Sequence, residues 1–139
     1  MREILFKAKR IDNGEWVEGY VIRKHGIYFI YDIVNSETCR QNNYEINPKT
    51  LCQFTGLYDR YENKIWENDV LETWSDEYAQ VKFGLFNTGF ANGDYNQGFY
   101  AAFPKDSIYR HELGHWCKKT YVRGNIFDNP ELLHEESDE

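Results

Sequence analysis

No two cysteines in this chain form a C-x-x-C pair. Cys39, Cys52 and Cys117 are odd in number and widely spaced, which argues against a zinc ribbon, a thiol redox motif and a disulfide framework. A reducing compartment suits such a set. No apolar run approaches the length of a membrane span, so no membrane association is expected. The first residues, Met1-Arg2-Glu3-Ile4-Leu5-Phe6-Lys7, are too short and too charged for a secretory signal. The expected location is the cytoplasm. Basic residues are outnumbered, 16 against 23 acidic, giving a net charge of −7. That balance disfavours broad electrostatic contact with nucleic acid. Part of the excess sits in the last residues, Glu135, Glu136, Asp138 and Glu139. There are three prolines, one methionine and no glycine-rich phosphate loop. Gly84, Gly89, Gly93 and Gly98 have the wrong spacing, and no lysine follows them.

Aromatic residues are abundant, with four Trp, eleven Tyr and nine Phe in 139 residues. Large rings bury much area each, and with Val and Ile they favour strands. Alternation marks those strands. Ile4, Phe6 and Ala8 alternate with charged residues. Asp12-Asn13-Gly14 reads as a hairpin turn. Trp16, Tyr20 and Ile22 share one side of the next strand. His25-Gly26 is a second turn, and residues 27–34 read as the most buried strand. Asn35-Ser36-Glu37-Thr38 reads as a loop. Asn47-Pro48-Lys49-Thr50 breaks the pattern with a turn or one helical turn. Asn68-Asp69 is a polar turn leading into a strand. Ala79, Val81, Phe83 and Leu85 alternate, residues 87–97 read as a long loop, and residues 98–103 and 120–127 read as strands. Asn129-Pro130-Glu131-Leu132-Leu133 has the signature of a short helix start.

About nine short strands predict a mostly β fold. The reading is an N-terminal β-meander or curled sheet over residues 1–55, then a small SH3-like β-barrel over residues 56–133, with short helical turns. Residues 134–139 read as an acidic, disordered tail.

Two segments carry a family resemblance. Gln53-Phe54-Thr55-Gly56-Leu57-Tyr58-Asp59, followed by Lys64-Ile65-Trp66-Glu67-Asn68-Asp69-Val70, resembles the YopX motif. Gly124-Asn125-Ile126-Phe127-Asp128-Asn129-Pro130-Glu131-Leu132-Leu133 is similar to the end of that family's pattern, and Arg2 to Ala8 fits its start. Cys52 and Asn68 stand where the pattern has Gly, Arg123 where it has an apolar residue, and Arg60-Tyr61-Glu62-Asn63 replaces its hairpin turn. The resemblance implies a phage or prophage protein and an SH3-like second half. It implies no activity and supplies no catalytic, cofactor or metal residues. Physically, Gly56 and Gly124 read as backbone punctuation, and Phe54, Leu57, Ile65, Trp66, Val70, Ile126 and Phe127 as core.

One motif has the residue types of chemistry. His111-Glu112-Leu113-Gly114-His115 matches H-E-x-x-H, in which a helix places two imidazoles on one Zn²⁺ and a glutamate activates the bound water. Pro104 just before it and a strand near Thr120 leave little room for that helix. A third ligand would have to come from His134, Glu131 or Glu135. His25 reads as an exposed turn residue. Cys117 lies two residues from His115, a sequence proximity that does not define a thiolate pair. Exposed rings at Trp74, Tyr78, Tyr95, Tyr100 and Trp116 offer a stacking platform for single-stranded nucleic acid. The only basic cluster near them is Arg110, Lys118, Lys119 and Arg123.

The leading expectation is a non-enzymatic interaction module that forms a homo-oligomer and meets an unknown protein partner, without cofactor or metal. A zinc hydrolase built on His111, Glu112 and His115 is the first alternative. Single-strand nucleic-acid binding is the second.

Overall fold

The computed structural model describes residues 4–32, 42–74, 76–87, 95–103 and 112–133. These form two antiparallel sheets and short helical turns, so the chain is mostly β, as its alternation predicts. Two compact units divide between Phe54 and Thr55.

In the first unit, β1 (Phe6–Lys9), β2 (Trp16–Lys24), β3 (Ile27–Asp32) and β4 (Asn42–Glu45) lie side by side in the order β4-β3-β2-β1. This is the expected meander. Its turns are the two read from sequence. Gly14 takes φ 73°, and His25 and Gly26 take 53° and 79°, conformations that cost Gly little. The first residues of β5 (Cys52–Tyr58) add to β1 through the pairs Phe6 with Gln53 and Lys7 with Cys52. A 3₁₀ turn at Pro48–Thr50 precedes β5, and the Asn47 side chain caps it by accepting from the Lys49 amide. Ala8, Ile30 and Ile46 make the buried cluster, with Val17, Val21, Tyr28 and Leu51 against it. Gly19 is needed here, since a Cβ would collide with the carbonyl of Tyr31.

Two details depart from the sequence reading. Leu5 is buried while Ile4 is exposed; the Leu5 carbonyl accepts from the Phe54 amide at 2.8 Å, which ties Leu5 to β5. Ile27 is also exposed, since it sits at the turn end of β3 and only Ile30 reaches the core. The loop expected at Asn35 to Thr38 lies outside the described residues.

In the second unit, β6 (Lys64–Trp66) pairs with the remainder of β5, and the Thr55 hydroxyl donates to the Ile65 carbonyl at 2.7 Å. A separate sheet contains β7 (Asp69–Thr73), β8 (Tyr78–Asn87), β9 (Tyr95–Ala102) and β10 (Thr120–Asn125), in the order β10-β7-β8-β9. A short helix, α1 (Leu113–Trp116), and a 3₁₀ turn at Cys117–Lys119 precede β10. Ile65, Leu71, Val81, Leu113 and Cys117 form the core, with Leu57, Phe99 and Val122 packed on it. Each fully buried aliphatic side chain contributes about 1.5–3 kcal/mol.

No closed barrel is seen among the described residues. β10 and β9 end the four-stranded sheet without pairing to each other, and β6 joins β5 instead of closing the ring. The long loop expected over residues 87–97 is shorter than read, because Tyr95, Asn96 and Gln97 already belong to β9. The last segment, Pro130–Leu133, is a 3₁₀ turn as its Asn-Pro-Glu start suggests. The expected tail, residues 134–139, lies outside the described residues.

Candidate interaction surface

Of the H-E-x-x-H segment the structure describes Glu112 to His115, and Glu112 is not helical. Glu112 is extended, with φ −57° and ψ 129°, and its backbone bridges to Tyr100 on β9. The helix starts only at Leu113, so of the motif's residues only Leu113, Gly114 and His115 are helical among the described residues. The spacing of four is used differently. Leu113 and Cys117 point together into the core and are only 1% and 6% exposed, so the helical period serves packing. His115 sits 3.4 Å from Lys119 Nζ through Nε2 and edge-on to Trp116 at 5.3 Å. His111, His134, Glu135 and Arg110 lie outside the described residues, and Glu131 sits in the closing 3₁₀ turn. No group of three or more His, Cys, Asp or Glu side chains converges on a metal-sized site among the described residues.

The aromatic residues read as a stacking platform are dispersed. Trp74, 79% exposed, follows the end of β7. Tyr78 opens β8, while Tyr95 lies opposite Asn87 at its far end, roughly 30 Å away at 3.3 Å per residue. Tyr100 stacks on Phe86 at 5.3 Å, and Trp116 meets Phe103 edge-on at 5.2 Å. The basic side chains near them are engaged by neighbours. Lys118 Nζ bonds Glu62 at 2.9 Å, and Arg123 faces Glu72 at 3.4 Å. Glu72 also accepts from the Tyr121 hydroxyl, which pushes that phenol up.

Asp59 is a residue that its sequence position alone did not mark as special. It is fully buried. Oδ1 accepts from the amides of Tyr61 and Asn63 at 2.8 and 2.9 Å, and Oδ2 from the Val122 amide at 2.9 Å and Asn63 Nδ2 at 3.2 Å. Burial pushes the carboxyl up. The Val122 amide, the Asn63 amide and side chain and the Tyr61 amide outweigh that and hold it below its ordinary 3.8. The group clips the turn after β5 onto β10, so its role is architectural. The signal was available in outline, since an Asp followed by a short polar turn is a common side-chain-to-backbone motif.

The feature left outside the core is the outer part of one face of the paired strands β8 and β9. Facing pairs run Val81 with Ala101, Phe83 with Phe99, Leu85 with Gln97 and Asn87 with Tyr95. At the first pair the face is completely buried. Further along, Phe83 is 53%, Leu85 70% and Tyr95 60% exposed. The Phe83 and Phe99 rings meet edge-on at 5.0 Å. The apolar pattern of the sheet therefore continues past the core into solvent. The alternation of Ala79, Val81, Phe83 and Leu85 was legible from the sequence, but the point at which burial stops was not.

Among curated proteins none matches the chain. A solved structure, "Crystal structure of protein EF1440 from Enterococcus faecalis", aligns over 96% of this chain and 99% of that one, at 19% identity and a TM-score of 0.46. The YopX protein family matches residues 5–134. With nearly its whole length covered by that match, the chain belongs to the YopX family.

Proposed function

We propose that this YopX protein is a non-enzymatic, self-associating interaction module, encoded by a phage or prophage and working in the cytoplasm of the bacterial host. The observation that carries the self-association is the exposed apolar run Phe83, Leu85 and Tyr95 on a face whose inner end is core. Contiguous exposed apolar surface is a mark of protein contact. The cellular setting rests on the family and on dispersed cysteines with no C-x-x-C pair.

Light scattering across a micromolar concentration series tests the reading. A mass above one chain at low micromolar concentration is expected. Leu85→Lys, at a position already 70% exposed, lowers that mass without lowering the melting temperature. A single-chain mass throughout the series refutes the proposal.

A further inference from the structure

Each sheet-edge strand presents backbone N–H and C=O groups that invite another strand, and folded proteins blunt such edges with short length, charge or bulges. Three edges here are blunted. β4 has four residues and ends in Glu45, and β6 has three and begins with Lys64. β10 carries Arg123 and a register shift between Val122 and Gly124. β9 has none of these devices. Its eight residues, Tyr-Asn-Gln-Gly-Phe-Tyr-Ala-Ala, hold no charge and no proline, and its register with β8 runs unbroken from Tyr95 to Ala102.

The outer side of β9 is bridged by Glu112 at Tyr100. Among the described residues no strand lies against the outer side of Tyr95–Phe99. A Cβ at Gly98 would meet nothing within 4 Å, so the fold's own packing does not require the glycine. Glycine inside a strand often marks the close approach of another backbone.

We infer that the Tyr95–Phe99 edge of β9 pairs antiparallel with the same edge of a second copy, about a two-fold axis through Gln97. The open stretch has five residues, and Gln97 is its midpoint. Antiparallel pairing about that point sets Tyr95 against Phe99 of the partner subunit and Asn96 against Gly98 of the partner subunit. Tyr95 and Phe99 lie on the face that carries Phe83 and Leu85, so the pairing brings two exposed apolar faces into one. The resulting cross-strand pairs are aromatic or neutral. In a chain of net charge −7, an uncharged edge is where two copies meet with least repulsion. The inference rests on the proposed self-association and names its geometry.

Two variants test it, alongside wild-type protein. Gln97→Cys in a Cys39→Ser background places two thiols across the axis. Directly opposed residues have Cα atoms about 4.5–5.5 Å apart, within reach of a disulfide. Oxidation is expected to trap a covalent dimer, while Asp76→Cys in the same background, exposed and at the far end of β8 from the partner position of Gln97, traps none. Gln97→Lys opposes two like charges at the axis and is expected to weaken self-association by about tenfold or more. If wild-type protein self-associates, yet Gln97→Lys does so equally and Gln97→Cys crosslinks no more than Asp76→Cys, the edge pairing is wrong and the broader proposal survives. Wild-type protein that is monomeric throughout overturns both, and capture of a strand from a different protein would then account for the open edge.

Discussion

The Asp59 carboxylate accepts a 2.9 Å hydrogen bond from the backbone amide of Val122, 63 residues further along the chain. The same carboxylate organises the turn through Tyr61 and Asn63. One buried charge therefore fixes a local turn and its attachment to β10.

Asp59→Asn keeps the shape but replaces a carboxylate oxygen by a donor facing other donors. Hydrogen bonds to a charged acceptor contribute about 1.5–3 kcal/mol each, and the losses are not additive. A loss of about 2–4 kcal/mol in urea unfolding is expected, with Asp59→Ala at least as damaging. An unchanged midpoint would show that the amides find other partners.

Acid should weaken the protein through the same group. The folded carboxyl titrates below its ordinary 3.8, so its contribution is complete above that value and is lost as pH falls through the lower folded value. Wild-type stability should therefore drop more steeply below about pH 4 than that of Asp59→Asn. Parallel pH profiles for the two proteins would contradict this assignment.

Gly124 and Asn129 form a second tight relationship. A Cβ on Gly124 would run into the Asn129 side chain, whose Oδ1 accepts from the Asn125 amide at 3.3 Å. Asn125 Oδ1 in turn accepts from the amides of Phe127 and Asp128, both at 2.9 Å. Gly124→Ala should cost about 1–3 kcal/mol. Part of that loss should return when Asn129→Ala is added, because the collision disappears. Strictly additive losses in the double-mutant cycle would rule the collision out as the cause.

The H-E-x-x-H segment makes its own prediction. Glu112 is extended, Leu113 and Cys117 take the buried side, and no metal-sized cluster forms among the described residues. Protein purified without chelator should carry far less than one zinc per chain by elemental analysis. Added zinc should leave the melting temperature of wild type, His111→Ala and His115→Ala alike. A stoichiometric metal content lost in either variant would restore the hydrolase reading.

Much of the fold was readable from local chemistry. Gly14 and His25-Gly26 announced hairpins because few other residues tolerate positive φ there. Phe54, Ile65, Trp66 and Val70, read as core, are buried. Leu57, Ile126 and Phe127 are only half-buried, since each lies near a strand end or in a turn. What sequence could not supply was long-range. Whether β6 joins β5 or closes the second sheet depends on partners, not on its own three residues. The face of Phe83 and Leu85 alternates as a core strand does, and nothing local to β8 says that the covering elements stop at Val81. Asp59 was legible only as a turn residue, because its decisive partner is a backbone amide in another strand.

That distant partner has a consequence during synthesis. When Asp59 leaves the ribosome, its turn can close at once, but the Val122 amide is not yet made. At 5–20 residues per second the wait is on the order of 3–13 s. Through that interval the nascent turn holds its carboxylate without the Val122 bond, so the attachment to β10 is among the last of the contacts of Asp59 to form.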